Sequence, residues 1–161
     1  MINDSPQILV AVDGSTPSNW AVDVGADLAG RLGGSVTLVH VVIPPTIGAG
    51  EGALLIADID DGLRAEGEAL LAAAARRLPP GLLAGTVLRE GAPGLEIVDV
   101  AAATRADFIV TGSRGRGRWA HFILGSTAEE VIRRAPCPVV TVRMGGKLEH
   151  EHRPAGAAAG A

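Results

Sequence analysis

Apolar positions along the chain follow two alternating patterns. Five short runs rich in aliphatic and β-branched residues, at 8–12, 35–42, 85–89, 108–111 and 139–143, read as strands. Several are continuous rather than alternating, as in strands covered on both faces of a parallel sheet. Between them apolar residues recur at helical spacing. Ala21, Val24, Gly25, Leu28 and Leu32 share one face, stopped by Gly33-Gly34. Leu63, Gly67, Leu70, Leu71, Ala74 and Leu78 form a second face, stopped by Pro79-Pro80-Gly81. A third helix is predicted from Pro93 to Thr104 with Leu95, Val98 and Ala102 facing inward. A fourth opens at Ser126, where the Ser-x-x-Glu pattern to Glu129 predicts a capping box. Strands alternating with helices imply a parallel sheet with right-handed crossovers and helices on both faces.

Two segments fall outside this alternation. Residues 43–61 hold Pro44-Pro45, several glycines and an apolar Leu54-Leu55-Ile56, and read as a lid or a packed loop. Residues 145–161 carry Gly-Gly, a His/Glu cluster and an Ala/Gly run, the composition of a disordered tail. The expected organisation is therefore one domain over 1–144 followed by a tail over 145–161, without internal repeats.

Composition narrows the function classes. With 161 residues the chain is one domain's worth, long enough for a substantial core. Two Phe, two Trp and no Tyr leave little material for stacking single-stranded nucleic acid. A net charge of −4 argues against general nucleic-acid binding. One cysteine cannot form an internal disulfide, the first residues lack a signal-peptide pattern, and no apolar run is long enough to span a bilayer, so a cytoplasmic location is expected.

Candidate chemistry gathers near the C-terminal end. Strand-like Phe108-Ile109-Val110-Thr111 runs into Gly112-Ser113-Arg114-Gly115, and nine residues later Gly125-Ser126-Thr127 opens a helix. Glycines let backbone approach a ligand closely, and a helix N-terminus aims N–H groups and a favourable dipole at an anion. This is the pattern of a phosphate-binding loop. A Walker A loop is excluded, because the sole lysine, Lys147, lies beyond the last strand. Gly115 to Ala120 satisfies the dinucleotide pattern by chance, since it closes no first strand and no acidic ribose ligand follows.

The spacing Gly-x2-Gly-x9-Gly-Ser, the Asp after the first strand (Val12-Asp13-Gly14-Ser15), Leu38-Val39-His40-Val41 and the closing Ala135-Pro136-Cys137-Pro138 together resemble the universal stress protein family, in its ATP-binding branch, from Ile8 to about Arg143. The resemblance implies a Rossmann-like α/β fold, a doubly wound five-stranded parallel sheet of order 3-2-1-4-5. It also implies ATP with Mg2+ or Mn2+, a homodimer, and a nucleotide-dependent sensor or regulator in stress response. In that order the switch point lies between the first and fourth strands, where Asp13 and Gly112 meet.

The site residues so implied are Asp13, Val41, Gly112, Arg114, Gly115, Gly125, Ser126 and Thr127. Asp13 has a second reading as a turn residue, although Ser15, Thr16 and Pro17 already supply cap chemistry and leave it to face the crevice. Val41 acts through its backbone, Arg114 is the candidate phosphate contact, and Ser126 caps the helix, binds phosphate or does both. His40 reads as a packed histidine and Cys137, between two prolines, as structural. No catalytic base or P-loop lysine is visible, so hydrolysis of ATP is slow at most. The alternatives are a dimeric regulatory module without ATP, or a nucleotide-dependent hydrolase or ligase of similar fold, whose Ser-Gly-Gly-x-Asp-Ser loop this chain lacks. Val139–Val142 is an uncharged, β-branched edge strand, suited to antiparallel pairing with a second copy.

Overall fold

The computed structural model of the chain describes residues 5–44, 53–113 and 124–143, with residues 53–58 as backbone. Nine elements alternate without exception among these residues: β1 (Gln7–Ala11), α1 (Thr16–Leu32), β2 (Ser35–Val42), α2 (Ala53–Ala75), β3 (Leu83–Glu90), α3 (Pro93–Thr104), β4 (Phe108–Gly112), α4 (Ser126–Arg134) and β5 (Val139–Val142). The five strands form one sheet in the order β3-β2-β1-β4-β5, every neighbour parallel. The expected strand order and doubly wound arrangement are therefore present.

The apolar run of β1 explains why the sheet needs two layers of helix. Successive side chains of a strand point to opposite faces. Ile8, Val10 and Val12 enter one core with Ala21, Val22 and Ala29 of α1 and Leu71 and Ala74 of α2. Leu9 and Ala11 enter the other, with Ile97, Val100 and Ala101 of α3 and Val131 of α4. A strand buried on both faces cannot alternate in polarity, and β1 does not. Gly25 brings α1 down onto it, since a Cβ there would lie 2.5 Å from Val10 Cγ2.

Some sequence expectations shift. Residues 53–61 are helical rather than a loop, because the apolar run from Leu54 feeds without a proline into the repeat that continues through Leu63 and Gly67. Residues 45–52, the rest of that segment, lie outside the described residues, as does the expected tail at 145–161. In α3 the inward face is Gly94, Ile97, Val100 and Ala101; Leu95 is 40% exposed and Ala102 exposed. Gly94 fixes this rotation, because a Cβ there would meet Glu130 of α4 at 2.7 Å. In α1, Leu32 is exposed, at the last turn before Gly33 closes the helix with φ 68°. β3 begins two residues earlier than expected, at Leu83, as a sheet edge with several exposed side chains. The capping box at Ser126 does not form: the N-cap is Gly125, without any side-chain cap, and Ser126 is already the first helical residue.

Candidate functional site

A crevice of about 730 Å³ opens at the carboxyl ends of β1, β2 and β4. Ligands in open α/β sheets bind at this end, where strand order reverses. Three elements bring different chemistry to it.

The exit of β1 is held by its own side chains. Asp13 Oδ1 accepts from Ser15 N–H at 2.9 Å and from Ser15 Oγ at 2.5 Å, while Asp13 N–H donates to Ser18 Oγ at 3.0 Å. Ser15 is the N-cap of α1, accepting from Ser18 N–H at 3.3 Å, with Pro17 in the first turn. Asp13 is thus a turn residue as well as part of the crevice lining; the serines use its carboxylate rather than leaving it unengaged. Ser18 is buried, and its role was not read from the sequence, although Asp-Gly-Ser-x-x-Ser was its available signal.

The exit of β4 is built differently. Gly112 lies against the start of α1, where a Cβ would come within 3.0 Å of the Pro17 backbone, so packing alone already calls for glycine there. Ser113 N–H donates to Val142 O at 2.7 Å, and Gly125 N–H donates to Ser113 O at 2.8 Å. These bonds place the start of α4 beside the end of β4, so Gly125, Ser126 and Thr127 line the crevice with Gly112. Arg114 and Gly115 lie outside the described residues. The first N–H groups of a helix have no partner within it. At α4 the N-cap is Gly125, and among the described residues no side-chain cap takes that place.

The third wall is the end of β2. Its register with β1 stops at Ala11↔Val39, whereas its pairing with β3 runs on to Val42↔Glu90. Val42 O accepts from Gly91 N–H on the β3 side, so the polar backbone of Val41 turns the other way, past the end of β1 and toward the crevice. Leu63 and Glu66, one helical turn apart on α2, and Pro93 and Ile97 of α3 complete the wall. Nothing in the sequence pattern had marked Glu66, because an acidic residue on an amphipathic helix is ordinary. Asp13 and Glu66 are the acidic side chains of the described lining.

Six of the eight candidates, Asp13, Val41, Gly112, Gly125, Ser126 and Thr127, therefore share one crevice. His40 is engaged through its ring, whose Nδ1 lies 2.6 Å from Val12 O. Burial, and secondarily the charge of Asp107, push the Cys137 thiol up, away from a reactive thiolate. No cluster of three or more metal-ligating side chains occurs among the described residues.

The family model of the universal stress proteins matches residues 6–143. The chain belongs to the universal stress protein family. It is 33% identical over 140 residues to a universal stress protein of Methanocaldococcus jannaschii, a match covering 85% of this chain and 81% of that one. Among solved structures, the universal stress protein UspA of Lactobacillus plantarum superposes with a TM-score of 0.74 at 24% identity, covering 86% of this chain and 97% of that one, a likeness of fold. A universal stress protein solved in complex with cAMP superposes with a TM-score of 0.64 at 25% identity, covering 87% and 98% respectively. Among the described residues no helix is long and apolar enough to cross a membrane.

Proposed function

We propose that the crevice is a nucleotide site, that its ligand is ATP with Mg2+ or Mn2+, and that this universal stress protein works as a nucleotide-dependent regulator. One observation carries the reading: the uncapped first turn of α4 faces the same cavity as Asp13 and the open backbone of Val41. An anion gains from the α4 end through its N–H groups and helix dipole. A base edge gains from the N–H and C=O of Val41, and ribose hydroxyls from an acceptor such as Asp13. The volume is within the range of small-molecule and cofactor sites. The solved relative that holds cAMP supports a nucleotide of this kind.

A divalent ion fits such a site chiefly through phosphate oxygens, since magnesium commonly takes one or two carboxylates and keeps several waters. Asp13 is the carboxylate offered beside the turn, and the metal, when bound, supplies charge neutralisation to the phosphates. The described residues lining the crevice bind and orient, and none of them is assigned as a base, in keeping with turnover that is slow at most. Regulation then acts through assembly. β5 ends the sheet and its side chains are half-buried, which suits antiparallel pairing with a second copy through Val139–Val142. Thr141→Pro removes a backbone donor from that edge and is expected to give monomers by light scattering, where the unaltered chain gives dimers.

The reading is tested by denaturing the purified protein, identifying released small molecules by mass spectrometry, and titrating ATP with Mg2+ into the stripped protein by calorimetry. Saturable binding supports it. A protein that releases no nucleotide and takes up no ATP at millimolar concentration overturns it in favour of a dimeric module without ATP.

A further inference from the structure

Resting on the nucleotide reading, we propose that His40 is a positioning residue that sets the spacing between Asp13 and Glu66, the two carboxylates of the described crevice lining. His40 is half-buried on β2 with its side chain on the α1/α2 face of the sheet. Its Nδ1 lies 2.6 Å from Val12 O. A carbonyl only accepts, so Nδ1 carries the proton and donates. The bond fastens the ring to the residue immediately before Asp13.

The other edge of the ring meets α2. Gly67 is buried against it, and a Cβ there would stand 2.8 Å from His40 Cδ2, 3.4 Å from Nε2 and 2.7 Å from Leu88 Cδ1. The helix thus approaches the ring as closely as only glycine permits, one residue after Glu66. The imidazole is wedged between two backbone points, Val12 and Gly67, each adjacent in sequence to an acidic residue of the crevice. The Asp13 turn is already fixed internally by Ser15 and Ser18. What the ring adds is the position of that whole turn relative to α2.

A merely space-filling residue at this position has no need of a donor. His40→Leu keeps the bulk and removes the hydrogen bond; His40→Asn keeps a donor close to the place of Nδ1. Calorimetric titration with ATP and Mg2+ is expected to give about tenfold weaker binding for His40→Leu, the scale of one lost hydrogen bond, and less than about threefold weakening for His40→Asn. In an Asp13→Ala background, His40→Leu is expected to weaken ATP binding by less than about twofold more, because its effect runs through Asp13. Should His40→Leu fail to fold, Gly67→Ala presses α2 away from the ring with the donor intact, and is expected to weaken ATP binding about threefold or more.

Wild-type affinity in His40→Leu, equal losses in the Leu and Asn variants, or losses that simply add to those of Asp13→Ala would each overturn the assignment while leaving the nucleotide reading standing. A wild-type protein that binds no ATP and releases no nucleotide removes both.

Discussion

Two strand exits meet at the crevice, and they end in opposite ways. Where β1 gives way to α1, the turn is held by its own side chains: Ser15 caps the helix, Asp13 takes two bonds from Ser15, and Ser18 takes the Asp13 N–H. Where β4 gives way to α4, the N-cap is a glycine with no side chain to accept a bond, and among the described residues the first helical turn lines the cavity without a side-chain cap. Both helices would be more stable with a capping side chain, by roughly 1 kcal/mol over an alanine cap and a few tenths over glycine. The fold takes that stabilisation at one and forgoes it at the other. On the proposed nucleotide reading, the N–H groups of that helix end are left for the ligand.

The contrast can be broken most severely at Gly125. Its backbone, φ −66° and ψ 149°, is open to any residue, so Gly125→Asp costs no backbone strain and offers a capping side chain. The melting temperature is expected to stay level or rise slightly, while ATP affinity falls about 100-fold or more, because the carboxylate occupies and charges the phosphate position. Thermal unfolding and calorimetry on the same sample check the two opposite directions.

Where the end of β4 packs on the start of α1, and at the Ser15 cap, the response is in stability instead. Gly112→Ala places a methyl 3.0 Å from the Pro17 backbone and is expected to destabilise by about 1–2 kcal/mol through overpacking. Denaturant midpoints measure this, and an unchanged midpoint would mean that α1 yields at no cost. Ser15→Ala removes the cap and one of the Asp13 bonds, with an expected loss of about 1 kcal/mol and little direct effect on phosphate affinity.

Most of the fold was legible because it rests on burial. The unbroken apolar character of β1 announces a strand covered on both sides, and the helical repeats place α1 and α2 on one face. What pattern alone missed depends on contacts between elements. The rotation of α3 is decided by Gly94 meeting Glu130, a pair 36 residues apart whose contact no local period encodes. The helix at 53–61 was hidden by the neighbouring prolines and glycines, which suggested a loop. In the site, glycine spacing led to Gly125 and Ser126, yet the helix starts one residue earlier than the capping pattern predicts. That shift is itself informative, because a capping Ser126 would have accepted a bond from one of the first-turn N–H groups beside the cavity. Glu66 and the ring of His40 were beyond reach, since each acquires its role only when distant segments are brought together, whereas Ser18 had a local signal that went unread.

The most direct test follows amide resonances of isotopically labelled protein while ATP with Mg2+ is added. The N–H signals of Ser126, Thr127 and Ala128 are expected to move most, with the capped N–H of Ser18 moving least of the helix starts around the crevice. ATP binding that shifts the Ser18 amide as strongly as those of Ser126 to Ala128, or leaves the latter unmoved, would contradict the claim that the uncapped end of α4 is the phosphate site.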